Sequence, residues 1–416
     1  MTNFLLLLIL FLISLCLGPI AQADPLFISA FLTAEQEYTD NLYQTPFDAT
    51  KEFVSYVGAG ATIGLKTKKN YLDLNYKLRK VKYWDYEGDD PYDTTLMNYV
   101  DHNLGLNAST FITSRLKVGL YENFLRGRRL REYYFATNRI SRALYWDNRI
   151  SPYIEYRLGK KLFLNLKYQY DVLRYAEEEE VFLTEYDQDS TEHRGGLTTE
   201  YRFNPRNSVD LAYQYWTRDY QAIIPEQIEF SSYQAHQVTL GYKRQLSPII
   251  EAEVRGGYQT RNYEEEVEGR VEDWQGFIYS LSSRAKTKKS SASLSFEQTQ
   301  GDLADIGGGY YTTRMLRGDI GHTFLGKISL SLNGYYQQVR YDEYLVRTEA
   351  GAMEERKDDI WSIGPKVEYP ISRWLLLGFQ FQHIDRETND VVSFFFGDYV
   401  ENRILFAIRP RYEIKR

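Results

Sequence analysis

From Ser151 to Tyr175 the chain alternates apolar and polar residues on both sides of a short turn. Ile154, Tyr156 and Leu158 alternate with Tyr153, Glu155 and Arg157. After Gly159-Lys160-Lys161, the residues Leu162, Leu164, Leu166, Tyr168 and Tyr170 alternate with Asn165, Lys167, Gln169 and Asp171. Strand side chains point alternately to opposite faces, so this pattern predicts a hairpin of unusually long strands with one greasy and one wet face. The pattern recurs. Leu72, Leu74, Tyr76 and Leu78 run against Asp73, Asn75, Lys77 and Arg79, and Leu116, Val118 and Leu120 against Lys117, Gly119 and Tyr121. Val209, Leu211, Tyr213 and Tyr215 run against Asp210, Gln214 and Trp216, and Ile328, Leu330 and Leu332 against Ser329, Ser331 and Asn333. About 18 strands are predicted between Leu26 and Arg411, with about 16 as the alternative.

The spacing of these segments adds a second regularity. Short connections of about two to five residues, rich in Gly, Pro, Asn and Lys, alternate with acidic, turn-rich ones of about nine to sixteen. One long connection, of about sixteen residues, is expected after Arg126. Aromatic residues gather near strand ends, as at Tyr83-Trp84, Tyr133-Tyr134, Tyr310-Tyr311 and Trp374, where rings would form girdles at two membrane interfaces. No segment shows the 3.6-residue period of a helix that would cover the greasy face. In lipid, an open sheet edge leaves backbone polar groups unpaired, so the sheet must close. The expected fold is therefore all-β: a transmembrane antiparallel up-and-down barrel with short periplasmic turns, long outer loops and both ends on the periplasmic side. At this strand number the wet face lines an aqueous lumen.

Composition agrees once the barrel is considered. The mean hydropathy of -0.50 excludes a bundle of membrane helices, but a barrel with polar inward residues averages out hydrophilic. The 37 Tyr, 22 Phe and 6 Trp supply girdles. The amino end differs in kind: Phe4–Leu17 is apolar, and Gly18-Pro19 and Ala21-Gln22-Ala23 follow in the form of a signal peptidase site. Residues 1–23 read as a signal peptide, with an n-region lacking Lys and Arg, and residues 24–416 as one outer-membrane barrel domain. The single cysteine, Cys16, falls in the signal, so no disulfide, thiol chemistry or cysteine metal site is expected in the mature chain. Nothing before Leu26 is long enough for a plug domain.

The wet face carries the candidate chemistry. The pore-lining candidates are Asp73, Lys77, Arg79, Lys117, Tyr121, Tyr153, Glu155, Arg157, Lys167, Asp171, Asp210, Lys243, Glu251, Glu253, Arg255, Arg317, Tyr335, Arg403, Arg409 and Arg411. Mixed signs suit a hydrated, moderately selective pore. A basic strip at Arg403, Arg409 and Arg411, set against Glu251 and Glu253, would order water and polar or acidic solutes, or the charges pair and merely keep the lumen wet. Tyr121, Tyr153 and Tyr335 would form a stacking path for sugar rings, or simply fill space. The acidic runs Glu177–Glu180 and Glu264–Glu266 with Glu268 would hold divalent cations near lipopolysaccharide, or are solvated loop. The histidines, His102, His193, His236, His322 and His383, show no metal spacing, and no phosphate loop or nucleophile elbow is present. Asp101 with His102, and His383 with Asp385, are the only acid–histidine pairs that bear on catalysis. No enzyme activity, metal or cofactor is expected. With a net charge of -7 and no basic stripe, nucleic-acid binding is not expected either.

Glu37-Tyr38-Thr39-Asp40-Asn41-Leu42-Tyr43, after the first strand, resembles the opening signature of the putative outer-membrane β-barrel porin 2 family. That family is associated in part with exopolysaccharide synthesis and export loci. The resemblance implies a Gram-negative outer membrane and contact with its lipid and lipopolysaccharide. It also implies a polysaccharide, and periplasmic export components, as partners. The chain departs from outer-membrane habit by ending Tyr412-Glu413-Ile414-Lys415-Arg416, so the expected aromatic assembly signal is either displaced inward, to Tyr412, or weaker than usual. The expected function is a channel for polar solutes, with polysaccharide export implied by the resemblance. The alternative is an enzyme or adhesin that uses the barrel as scaffold.

Overall fold

The alternating segments form eighteen antiparallel strands in a single closed sheet. The computed structural model describes residues 26–44, 49–84, 94–134, 139–175, 189–220, 232–263, 273–302, 310–347, 352–390 and 397–415. The strands are β1 (Phe27–Thr39), β2 (Glu52–Lys66), β3 (Asn70–Tyr83), β4 (Tyr99–Phe111), β5 (Leu116–Tyr134) and β6 (Arg139–Arg157). There follow β7 (Leu162–Tyr175), β8 (Ser190–Asn204), β9 (Asn207–Tyr220), β10 (Tyr233–Gln245), β11 (Ile250–Tyr263) and β12 (Trp274–Lys286). The last six are β13 (Ser290–Asp302), β14 (Tyr310–Phe324), β15 (Ile328–Arg347), β16 (Met353–Ser372), β17 (Leu375–Thr388) and β18 (Tyr399–Lys415). A single 3-10 turn, Thr94–Met97, is the only helical element among the described residues. Each strand pairs with its successor, and β1 pairs with β18, Phe27 opposite Lys415 and Thr39 opposite Arg403, which closes the barrel. Both strand termini thus lie at the end that carries the short turns.

Several short turns share one device. The hydroxyl of Thr67 accepts the backbone N–H groups of Lys69 and Asn70, and Thr287 accepts those of Lys289 and Ser290. Thr113 does the same for Arg115 and Leu116, and Ser247 for Ile249 and Ile250. Such side-chain acceptors fix a tight reversal in place of water. At Leu325-Gly326 the turn uses left-handed backbone instead, φ 50° and 68°.

Three prolines leave marks in the ladders. The pairing of β6 with β7 skips the positions around Pro152, that of β16 with β17 those around Pro365, and that of β1 with β18 those around Pro410. A proline has no N–H to donate, and the gap follows.

The connections correct one expectation. The long loop expected after Arg126 is largely strand: β5 and β6 stay paired to Tyr134 opposite Arg139, so that only residues 135–138 separate them. Likewise β15 and β16, 20 residues each, pair out to Arg347 opposite Met353. Above the bilayer a ladder needs no apolar face, so the period-two signal ends where the membrane does while the pairing continues. The segment read as a signal peptide and the acidic runs at Glu177–Glu180 and Glu264–Glu268 lie outside the described residues.

The two faces of the sheet are sorted by polarity. Val57, Leu166, Leu211, Leu240, Phe277 and Ile320 share the outer face and are among its most exposed side chains, Phe277 at 72%. The opposite face carries the ion pairs that follow.

Candidate functional site in the barrel lumen

The period of two and the observed register place all twenty of the pore-lining candidates on the inner face of the sheet. They gather into separate groups according to which strands meet.

The first group is a belt across the closure. Arg79 on β3 pairs with Asp101 on β4 and reaches Glu35 on β1 at 3.4 Å. Arg409 on β18 meets Glu35 at 3.1 Å and Glu368 on β16 at 3.3 Å, and Lys366 joins Glu368 at 2.8 Å. Gly58 lets Arg79 cross β2, since a Cβ there would lie 2.6 Å from the Arg79 Cγ. Lys77 and Asp73 stand one and three positions along β3 on the same face.

The second group lies on β9–β11. Arg255 binds Asp210 at 2.7 Å and Glu253 at 3.1 Å, and Lys243 binds Glu251 at 2.9 Å. The basic strip expected at Arg403, Arg409 and Arg411 is therefore not a run of unpaired cations. Arg409 is held as above, and Arg403 donates to Glu401 at 2.7 Å. Arg411 stands opposite Phe31. The acids set against it, Glu251 and Glu253, have partners of their own. Arg317 stands by Asp319 at 3.8 Å, near Tyr335 on β15.

A third group departs from this balance. On β5–β9 a cavity of about 600 Å³ is lined by the cations Arg115, Lys117, Arg157, Lys167, Arg194 and Arg202, against the carboxylates Glu155 and Glu200. Lys117 pairs with Glu155 at 3.2 Å and Arg202 with Glu200 at 2.8 Å, while Arg194 turns to Glu192 at 2.9 Å. Asp171, beside the basin, is taken by Arg149 at 2.6 Å. Among the described residues Arg157 and Lys167 have no carboxylate partner. Phe163 lies beneath Arg202, 3.9 Å from its ring centre, and Lys117 stands 5.1 Å from the Tyr153 ring. Tyr153 can lie flat here because residue 119 is glycine, where a Cβ would sit 2.3 Å from the ring. Tyr121 is on the same wall, 41% exposed, but Tyr335 is on the far side of the barrel, so the tyrosines do not form one path.

The sequence reading missed Arg115, Arg194, Glu200, Arg202 and Phe163. The signal existed: Glu192, Arg194, Gly196, Thr198, Glu200 and Arg202 alternate along β8 as strictly as the residues of the neighbouring hairpin.

The outer mouth is built differently. The carboxylate of Glu401, fully buried, accepts from Thr39 at 2.7 Å and Gln44 at 2.8 Å besides Arg403. Asp40 accepts from the backbone and side chain of Asn402, each at 2.7 Å, and Asn41 donates to the Val400 carbonyl at 3.2 Å. Leu42 then packs inward on Val54, Val81, Tyr83 and Met97. The start of the first outer loop and the 3-10 turn thus fold into the lumen. Gln44 holds a left-handed φ of 57° there, tied to Glu401 and to the Tyr399 hydroxyl at 3.1 Å. Further round, Asp358 is enclosed by Arg356 at 3.0 Å, Arg386 and the Tyr341 hydroxyl at 2.9 Å.

The histidines lie elsewhere. All five are on the outer face, where His102, His193 and His236 each bond a tyrosine of the preceding strand: Tyr76 at 2.9 Å, Tyr168 at 2.7 Å and Tyr213 at 2.8 Å. His322 bonds Ser290 and His383 bonds Asn402, both at 2.8 Å. Asp101 is on the inner face, away from His102. Asp385 shares the face of His383 but accepts from the Trp361 indole at 3.1 Å.

The description "Putative beta-barrel porin 2" matches residues 27–412. The chain belongs to that family. It is a porin-like barrel of the outer membrane. No protein of curated function matches it. Among solved structures it is similar to Acinetobacter baumannii OccAB4, with 12% identity over 94% of this chain and 100% of that one, TM-score 0.49. It is also similar to Pseudomonas aeruginosa OccK2 (OpdF) in complex with glucuronate, with 12% identity over 93% and 98%, TM-score 0.49. A BenF-like porin from Pseudomonas fluorescens Pf-5 shares 14% identity over 92% and 99%, TM-score 0.48. At these identities the likeness is one of fold.

Proposed function

We propose that this porin is a channel for polar solutes that favours acidic ones, with the basin on β5–β9 as its selective stretch. The observation that carries the reading is the charge of that cavity, six cations against two carboxylates, with Arg157 and Lys167 uncommitted. A cleft lined by one sign of charge between low-dielectric walls concentrates counter-ions. No covalent chemistry is part of the reading. The histidines lie on the outer face, and among the lumen carboxylates Glu35, Asp101, Asp210, Glu253 and Glu368 are held by cations.

The test is the reversal potential of the reconstituted barrel in a KCl gradient. Wild type is expected to prefer chloride, and Arg157→Glu/Lys167→Glu, which leaves four cations and four carboxylates in the basin, to move the reversal potential toward the potassium value. A wild-type barrel without conductance, or a double variant with unchanged selectivity, overturns the reading.

A second reading, passage of an acidic polysaccharide strand, is favoured by Tyr153 and Phe163 lying against the same cations, since sugar rings stack on aromatic faces while uronate groups meet Arg and Lys. It predicts reversible block of the conductance by acidic oligosaccharides and none by neutral ones of equal length.

A further inference from the structure

Three cations stand on the outward face of the barrel near its outer rim. The period of two that turns Lys77 and Arg79 inward on β3 turns Lys80 and Lys82 outward, and on β5 it turns Arg126 outward. The register brings them together. Lys80 stands opposite Val100 of β4, and Arg126, opposite His102, donates to the Val100 carbonyl at 3.0 Å. Two cations thus flank one residue, and Lys82 follows Lys80 on the same face. Lys80 is ten positions from Asn70 at the short-turn end of β3, and Arg126 ten from Leu116 at that of β5. Ten residues of tilted strand rise about 25 Å, the height of the apolar band, so the group sits where hydrocarbon gives way to headgroups.

None of the three has a carboxylate partner among the described residues. Arg126 gives one N–H to a carbonyl and Lys82 lies over the Trp84 ring at 3.5 Å, and neither contact neutralises a charge. Trp84 is pinned in turn, its indole N–H donating to the Ser55 hydroxyl at 2.8 Å. Up to the level of these cations the outward face of β1–β6 carries one carboxylate, Glu122. It lies four positions down β5 from Arg126, about 13 Å along a strand. The wall beneath is otherwise apolar: Leu72, Leu74, Leu106, Leu120 and Ile150 pack as one cluster. The opposite charge appears on β16 and β17, where outward Asp359 accepts from the Tyr336 hydroxyl at 2.6 Å and Asp385 from the Trp361 indole at 3.1 Å. The cations are therefore a local patch and not a belt.

Unpaired cations at the edge of hydrocarbon are costly unless an anion meets them there, and an anion that arrives with an apolar body is a lipid headgroup. Phosphate suits the set, since Arg and Lys both bind it through charge-assisted hydrogen bonds. We propose that the patch is a docking site for a phosphorylated lipid of the outer leaflet, the lipid A part of lipopolysaccharide. One phosphate lies between Lys80 and Arg126 with Lys82 beside it, and the acyl chains run down the apolar wall.

The test is native mass spectrometry of the full barrel in detergent, titrated with diphosphoryl lipid A. Wild type is expected to retain one lipid, and Lys80→Gln/Lys82→Gln/Arg126→Gln to retain it about a hundredfold more weakly. Lipid A stripped of its phosphates is expected to bind wild type as weakly as the variant binds the intact lipid. Arg314→Gln removes an outward cation of β14, held by Gln298 at 2.8 Å, and is expected to change nothing. If the triple variant gives no heat-modifiable barrel, Lys80→Gln and Arg126→Gln are read singly, each with an expected loss of about fivefold. Undiminished retention by the variants, an equal loss in Arg314→Gln, or tight binding of the dephosphorylated lipid overturns the proposal. So does displacement of lipid A by inorganic phosphate at equal concentration, which would make the patch a site for the free ion.

Discussion

Leu42 shows how much one side chain decides at the mouth. It is the first apolar residue after three polar ones that bond the last strand, and it sits fully buried against Val54, Val81, Tyr83 and Met97. Truncation to alanine is expected to cost about 2–5 kcal/mol of local stability. Because the cluster anchors a loop inside the lumen, Leu42→Ala is also expected to raise single-channel conductance, read in planar bilayers. Asp358 is a different case. Its carboxylate answers two arginines, and Asp358→Ala removes that shared counter-charge from a nearly buried site, a loss of about 3–5 kcal/mol. A lowered guanidinium midpoint of the heat-modifiable form is the measurement. A variant that unfolds like wild type shows the cluster to be dispensable. Alternation along the chain told on which side of the sheet such residues stand. It did not tell that Arg409 meets Glu35 rather than a solute, because that depends on strands brought together from the two ends of the sequence.

At the scale of strands and turns, the short connections carry their own instructions. Thr67 and Thr287 each accept two backbone N–H groups that would otherwise point into a cramped reversal. Replacing either by alanine is expected to cost about 1 kcal/mol, and the double variant roughly the sum, since the turns are far apart. Refolding into detergent micelles at graded urea checks both values. The turns were legible in sequence because Thr, Lys and Asn or Ser cluster there between apolar runs. The tall hairpins β5–β6 and β15–β16 were not, because above the membrane a ladder needs no continuous apolar face and so leaves no long period-two trace in the sequence. Nor was the shortened β12–β13 ladder, which stops at Tyr279 opposite Gln298: both strands alternate well to their outer ends, and only the pairing shows that they part.

For the whole molecule, an even number of strands puts both strand termini on one side. A protease tag after residue 416 is expected to resist protease added to intact cells, and the same tag in the β5–β6 connection to be cut. The reverse pattern, or cutting of both, contradicts the orientation. The fold class and the strand number followed from sequence because a closed sheet in lipid admits few alternatives once the greasy face repeats along the chain. The mouth did not, because Leu42 and Met97 sit in short apolar pairs within polar connections, and nothing local marks them as buried.

The lock between Thr39, Asp40 and Asn41 on one side and Glu401, Val400 and Asn402 on the other spans about the entire chain, 362 residues from Thr39 to Glu401. No partly inserted barrel that lacks its last strand can form it. The first loop therefore acquires its inward shape only when the final strand has docked. The inward fold of the first loop is thus a timestamp of completed assembly: a barrel halted one hairpin short lacks its last seam and the anchorage of that loop together.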